Sequence, residues 1–541
     1  MPGPQAAARG QSLLAHGHVP AFLRLAALLS VGRPGLDVTL VSTPRILGSL
    51  SLPPDASRLR LHAIPFSPAD HGLPPGAHTL ADVQLHQFVP FFLASEALRP
   101  AFEEFVSGIG SPVCIVADAF LAWTADVARA RGASHAVFFP GGAFGNAVLF
   151  SVREHLPHAR TAADEFPLPD FPDVVLHRTQ IPWYILTATE ANPYTAFFRR
   201  VIASCRKTDA LLVNTVQELE PYGLDMLRRS LCAQTWPIGP VLAAPTPSGS
   251  RDDTSIIQWL DAHPPRSVLY ISFGSQNSVN ADQMRELAQG LEASGRPFLW
   301  ALRPPLGFDA KDGFKPEWLP AGFEERAARA STGLLVRILA HPSTGAFLSH
   351  CGWNSILESL SHGVPLIGWP LGAEQFFNAK LVVEWGVCVE KEKVAEAVRT
   401  LIGETATGEE MRKKAAAIAG TLAAAWEAPG GSAAESLEAF MVSVETFSSL
   451  EHPRKGSSAL VGDIHFPLRD GGFQTVYTFL GLHTISTRRS RCELPHSYQN
   501  QRGKRERKNP TFVAKLQSGG GGGGEISESK AMAKGRDHDG P

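Results

Sequence analysis

The stretch that decides the fold is His341 to Gln375, HPSTGAFLSHCGWNSILESLSHGVPLIGWPLGAEQ. Gly345 to Ser349 is a short apolar run that reads as a buried strand, and it enters His350-Cys351-Gly352-Trp353. Asn354 and Ser355 are good N-cap residues for a helix over Ile356 to Ser361, which Gly363 and Pro365 then stop. Gly352 permits a tight turn, and Val364 to Trp369 reads as the next strand. Backbone N–H groups at such a helix start, with the helix dipole behind them, attract anions. His350, Asn354 and Ser355 can add side-chain donors, so a diphosphate is the natural ligand. Glu358 follows one turn later. An isolated helical Glu is usually a solvated surface residue, but beside a phosphate-shaped helix start an acceptor-only carboxylate suits the adjacent hydroxyls of a ribose. Glu374-Gln375 comes after the next strand, at the carboxyl end where α/β ligands sit, and offers acceptors and donors for a row of sugar hydroxyls.

Moving outward, the same alternation of strand and helix recurs. Ser255 to Leu260 (helix), Ser267 to Phe273 (strand, ending in Gly274-Ser275), Ala281 to Ala293 (helix) and Pro297 to Leu302 (strand) precede the central stretch. The N-terminal half repeats it with strands at Asp37 to Val41 and Pro112 to Ala117. A helical pattern over Leu93 to Phe105 contains Pro100, and last elements fall at Lys207 to Asn214 and Thr235 to Val241. Between the halves, Leu242 to Asp253 (LAAPTPSGSRDD) has linker composition. Short apolar strands separated by helices imply parallel sheets covered on both faces. The expectation is an α/β protein of two facing Rossmann-type domains with a cleft between them. The domains are 1–241 and 254–450, joined by a linker at 242–253. Residues 451–541 are expected to form a low-complexity, disordered basic tail carrying a net +6 from fifteen basic and nine acidic side chains.

Composition limits the function classes. The 541 residues carry a formal charge of −2, so there is no global electrostatic reason to bind nucleic acid or an anionic membrane. The basic cluster Arg502 to Lys508 has no interleaved aromatics and reads as a solvated tail. Six scattered cysteines without a C-x-x-C pair fit a reducing compartment, and no apolar run is long enough for a membrane span. The first acidic residue is Asp37, a faint echo of a transit peptide, but Gly17 to Leu29 already reads as folded structure. A cytoplasmic monomer is expected. A nicotinamide-dependent oxidoreductase is excluded for want of G-x-G-x-x-G in strand–turn–helix context, since Gly141-Gly142 and Gly145 have the wrong spacing.

A second constellation lies near the N-terminus. His18, in Ala15-His16-Gly17-His18, precedes an amphipathic helix over Ala21 to Leu29, whose dipole disfavours the charged imidazole. Asp118 ends the strand Pro112 to Ala117 and should reach the cleft edge of its sheet. Together they would make a base and its orienter. Alone, one His and one Asp a hundred residues apart fit unrelated capping or surface roles as well.

The central stretch resembles the donor-binding signature of plant secondary-product UDP-glycosyltransferases (family 1, GT-B fold), in which a histidine, C-G-W-N-S, a Glu and [DE]-Q keep this order and spacing. The resemblance runs from about Gly17 to Leu450 and includes SFGSQ (Ser272 to Gln276) and WPIGP (Trp236 to Pro240). It implies that His350, Asn354, Ser355 and the Trp353 backbone hold the diphosphate, with Ser275 helping from the facing loop. Glu358 would hold the ribose, and Glu374 and Gln375 the sugar, a Gln there going with glucose. His18 and Asp118 stand at the catalytic positions, His18 rather than His16 being the histidine that aligns. The implied reaction inverts a UDP-glucose donor to a β-glycoside on a phenolic or terpenoid-like hydroxyl, without cofactor or metal. The acceptor pocket is expected from loops Pro65 to Leu80 and Phe139 to Gly145, with Phe120 and Phe144 lining it.

Three departures from that pattern are visible. The signature normally opens with tryptophan-alanine-proline-glutamine, but here Leu334 to Arg337 runs straight into Ile338 to His341, about seven residues short. The absent tryptophan is the platform for uracil. Base–aromatic stacking is worth ~1–3 kcal/mol, so donor affinity is expected to be roughly 5–150-fold weaker. The first strand, Ala8 to Ser12, is polar, and the tail after Leu450 has no counterpart. The alternative they favour is a non-catalytic homologue with weak nucleotide-sugar binding.

Overall fold

A computed structural model describes residues 7–11, 17–32, 36–52, 56, 58–83, 85–109, 112–242, 251–274, 278–305, 308, 315–323, 328–329, 335–390, 394–427 and 429–451. Residues 452–541 of the expected tail, His16 and Ser275 lie outside them, as do residues 243–250 of the linker. Among the described residues nine strands form in the first half: β1 (Ala7–Gln11), β2 (Asp37–Ser42), β3 (Arg60–Ala63), β4 (Cys114–Asp118), β5 (Ser134–Phe139), β6 (Glu165–Pro167), β7 (Val175–His177), β8 (Ala210–Val213) and β9 (Gln234–Pro237). Six follow in the second: β10 (Val268–Ser272), β11 (Phe298–Trp300), β12 (Ala328–Arg329), β13 (Thr344–Ser349), β14 (Leu366–Gly368) and β15 (Cys388–Glu390).

The first sheet runs β3-β2-β1-β4-β5-β8-β9 and the second β12-β11-β10-β13-β14-β15, both wholly parallel. β6 and β7 make a separate antiparallel pair. This is the doubly wound α/β architecture expected for a GT-B fold. Alternation along the strands fills two cores at once, because successive side chains point to opposite faces. Ile115 and Ala117 of β4 enter one cluster and Cys114 and Val116 the other. The first cluster continues into the second half through Tyr270 and Phe347, so a shared core joins the two halves.

Each sheet reverses its winding once, at β1/β4 and at β10/β13. Ligands of open α/β sheets bind beyond the carboxyl ends of the strands at such switch points. The polar β1 takes a central position: its backbone pairs with β2 and β4 on both edges, with Gln11 opposite Val41 and Ala117.

Two local expectations change. Leu93 to Phe105 is two helices, Phe88–Glu96 and Arg99–Gly108, because Pro100 belongs in the first turn of the second. The helix expected at Ser255 spans Arg251–Asp261 and so includes the end of the presumed linker. The helix Ser432–Glu451 returns to the first sheet, where Phe440, Met441 and Val444 pack beside Phe22, Leu25 and Phe138. Among the described residues no helix is long and apolar enough to cross a membrane.

Candidate active site

The first switch point brings the N-terminal pair together. His18 immediately precedes the helix Val19–Gly32 and its carbonyl accepts from Phe22 N–H. Asp118 is the last residue of β4, fully buried, with one carboxylate oxygen accepting from Phe120 N–H at 3.0 Å. Its other oxygen lies 2.6 Å from His18 Nδ1. With Nδ1 committed to the carboxylate, Nε2 is the nitrogen left to exchange a proton. Burial draws the imidazole pKa down, but the Asp118 charge and hydrogen bond, with a smaller contribution from Glu374, carry it above 6.5. The helix start therefore does not set its charge preference, as the sequence had suggested; the neighbouring carboxylate does. The Phe120 ring stacks 6.1 Å from His18.

The second switch point supplies the opposing wall. The helix after β13 spans Trp353–Ser361 and starts earlier than expected: Gly352 is its N-cap, with no side-chain cap bond. Asn354 and Ser355 are thus first-turn residues rather than caps, and the first N–H groups keep no capping partner. The His350 imidazole sits between two glycines. A Cβ on Gly274 would come within 2.6 Å of its Nε2, and one on Gly352 within 2.5 Å. Gly274 also has φ +76°, so glycine is required there twice over. His350 Nδ1 is buried without a partner, and burial pushes the imidazole pKa down to about 4. That leaves a neutral ring with an uncommitted nitrogen beside the helix start. Burial alone pushes the Glu358 carboxyl up to about 8.

Two side chains of this segment tie the halves together. Trp353 Nε1 donates to the Asn214 carbonyl at 2.6 Å, with its ring against Gly142, where a Cβ would lie 2.8 Å away. Asn354 Nδ2 donates to the Gly17 carbonyl at 2.6 Å, so this amide is occupied by the chain just before His18. Gln375 Oε1 accepts from Leu371 N–H and Gly372 N–H, both at 2.9 Å. It shapes the loop that presents Glu374 and has only its NH₂ left to donate. Tyr184 of the first half accepts from Ala373 N–H in the same loop at 2.6 Å.

Between the two walls is a cavity of about 680 Å³, within the usual range for a small-molecule site. His18, Asp118, Phe120, His350, Trp353, Asn354, Ser355, Glu358, Glu374 and Gln375 all line it. Phe144 does not. It is 5 % exposed, packed in the core, with Gly223 against its backbone and its N–H donated to Glu220 at 2.9 Å. Of the expected acceptor loops, Leu80 and Phe139 to Gly141 reach the cavity. Helices supply much of the rest: Phe92, Phe198, Tyr184, Tyr194, and Asn146, Leu149, Phe150 and Arg153 from the helix Ala143–His155. The last four recur at helical spacing along one face, a periodicity that the sequence does contain.

Residues 246–410 match the family model described as UDP-glucoronosyl and UDP-glucosyl transferase. The chain is 37% identical over 436 residues to UDP-glycosyltransferase 92A1 of Arabidopsis thaliana, covering 74% of this chain and 89% of that protein. It is 39% identical over 409 residues to crocetin glucosyltransferase 3 of Crocus sativus, covering 69% and 84%. Its structure resembles that of Glycyrrhiza uralensis UGT73P12 complexed with glycyrrhetinic acid 3-O-monoglucuronide. There the TM-score is 0.71 and the identity 27%, over 83% of this chain and 97% of that one.

Proposed function

The chain belongs to the UDP-glucoronosyl and UDP-glucosyl transferase family, enzymes that transfer a glycosyl group from a UDP-sugar to a small acceptor, and we propose that it moves glucose to a hydroxyl of a lipophilic phenolic or terpenoid-like compound with inversion to a β-glycoside. In this reading His18 Nε2 takes the acceptor proton while Asp118 holds the ring and stabilises the imidazolium. The acceptor oxygen attacks the anomeric carbon from the face opposite the departing UDP. The diphosphate rests on the first N–H groups of the helix Trp353–Ser361, with His350 Nδ1 and Ser355 beside it. Glu358 takes the ribose hydroxyls, Glu374 and the Gln375 NH₂ the glucose hydroxyls, and Ser275 is assigned a further diphosphate contact.

The observation that carries the reading is that the His18–Asp118 pair and the uncapped helix start line one cavity. A positioned base supplies about 10²–10⁴-fold, and alignment and leaving-group stabilisation the remainder. The helix start and His350 would stabilise the leaving group by hydrogen bonding without a metal, and the reaction is assigned to the cytoplasm with the enzyme as a monomer.

The deciding experiment incubates the purified protein with UDP-glucose and a panel of phenolic acceptors, beside a His18→Ala control. Glucoside formation that collapses in the control supports the assignment. Product that persists there removes His18 as the base. No product and no UDP binding at high donor concentration returns the non-catalytic alternative.

A further inference from the structure

Arg153 lines the cavity, and the proposed transfer leaves its chemistry unused. It is 8 % exposed, at the end of the helix face formed by Asn146, Leu149 and Phe150. Its guanidinium carbon lies 3.5 Å from the Phe198 ring centroid, and Nη2 donates to the Tyr194 hydroxyl at 2.9 Å. Its Nε is buried with no partner, and among the described residues no carboxylate lies within ion-pair distance of it. A guanidinium stays charged at any physiological pH, and burying one unpaired is costly. Stacking on Phe198 and one neutral hydroxyl offset only part of that cost. Tyr194 accepts from Arg153 with its oxygen, so its own O–H remains free to donate. A planar fork with an orphaned N–H and an adjacent hydroxyl donor matches a carboxylate, the group that guanidinium geometry recognises best.

The route from His18 to this cation is aromatic. Phe120 stacks 6.1 Å from His18, Phe198 meets Phe120 edge-on at 6.1 Å, and Arg153 lies over Phe198. We propose that Arg153 is an acceptor-specificity residue, and that the preferred acceptor is an aromatic or similarly flat lipophilic hydroxy acid. Its reacting hydroxyl lies at His18, its body lies along Phe120 and Phe198, and its carboxylate, which does not react, pairs with Arg153 and Tyr194. This inference rests on the glycosyl-transfer reading and narrows its acceptor class.

The test compares hydroxycinnamic and longer hydroxyaryl carboxylic acids with their methyl esters as acceptors, by kcat/KM with UDP-glucose. The ester lacks the charge but keeps the hydroxyl, so it reports transfer independently of Arg153. The wild-type protein is expected to favour at least one acid over its ester by about ten- to hundredfold, the usual worth of a hydrogen bond to a charged group. Arg153→Met should bring that ratio close to one, and Arg153→Lys, which keeps a point charge without the fork, should fall between. Equal use of acid and ester by the wild type across the panel overturns the proposal without touching the transfer reading. So does an equal fall for acid and ester in Arg153→Met, which would make the residue structural. Should Arg153→Met fail to fold, the wild-type ratio and Arg153→Lys decide alone. No transfer to either acceptor form by the wild type overturns both readings together.

Discussion

Asn354 Nδ2 donates to the carbonyl oxygen of Gly17 at 2.6 Å, so the helix that follows β13 in the second half holds the peptide immediately before His18. The donor wall and the proposed base are therefore not set independently. Asn354→Ala frees that carbonyl while leaving His18 and Asp118 in place. Losing the bond should cost about 1 kcal/mol of stability, read as a modest drop in the thermal midpoint. A small displacement of a reacting group can cost about 10²-fold, so kcat should fall by roughly ten- to hundredfold. An unchanged kcat with only a raised donor KM would assign Asn354 to the donor instead.

His18 has its pKa above 6.5 because Asp118 outweighs burial. A base must be deprotonated to act, so log kcat/KM should rise with pH through an acid limb lying above 6.5. In Asp118→Asn the charge is gone and burial remains, so the limb should move below 6.5 while the maximal rate falls. His18→Ala should lose about 10²–10⁴-fold and the limb with it. Stability follows the same linkage. A histidine pKa raised in the folded state stabilises the fold fully below 6.5, and that contribution is lost as pH rises through the folded value. Denaturant unfolding of wild type and His18→Ala across pH 5–8.5 should converge at the alkaline end.

The placing of each member of this pair, a histidine at a helix start and an aspartate at a strand end, is legible in the local sequence, whereas their pairing is what the family resemblance implies. Their meeting follows from topology, since β1 and β4 are neighbours at the point where the first sheet reverses. Reading Asn354 and Ser355 as caps failed for a physical reason. Capping residues are also tolerated in a first turn, and Gly352, with extended backbone at φ −62° and ψ 139°, serves as cap without a side chain. Phe144 and Phe120 look alike in sequence. Only packing separates them, one against Glu220 and Gly223, the other beside His18. Arg153 stands on a periodic helix face, but periodicity does not say whether that face meets core or cavity.

Glu358 has a carboxyl pushed up to about 8 by burial, so at neutral pH it is mostly protonated. In the proposed donor complex the ribose hydroxyls donate to the ionised form, and their binding would release that proton. UDP-glucose affinity should therefore strengthen as pH rises from 6 to about 8 and then level off, with proton release measurable by calorimetry in buffers of different ionisation enthalpy. Glu358→Gln should flatten the dependence. In the unliganded protein the native state keeps a proton that the unfolded chain gives up. Stability should thus fall as pH rises from the ordinary carboxylate range to about 8, and Glu358→Gln should remove that slope.

The leaving diphosphate is assigned to helix N–H groups and a neutral imidazole, neither of which needs a cation. Initial rates with UDP-glucose should be the same, within error, in excess chelator and in millimolar magnesium. A loss of activity in chelator that magnesium restores would require a metal on the diphosphate and would change the role given to His350.

Arg337 runs directly into Ile338 without the tryptophan on which the family resemblance would have uracil stack, and Leu335–Leu339 forms a short helix leading into β13. Apart from Ser275, the phosphate, ribose and sugar contacts proposed for the donor all follow that strand in the chain, at His350 and beyond. The deficit should therefore fall on affinity and on base discrimination, with the chemical step spared. Inserting a Trp-Ala-Pro-Gln segment between Arg337 and Ile338 should tighten UDP-glucose binding by roughly 5–150-fold, the equivalent of ~1–3 kcal/mol of stacking, with kcat at saturating donor little changed. The natural chain should also distinguish UDP-glucose from ADP-glucose less sharply than the insertion variant does. If the insertion raises kcat as well as affinity, the segment also aligns the sugar, and the separation of donor binding from chemistry argued from His18 and His350 fails.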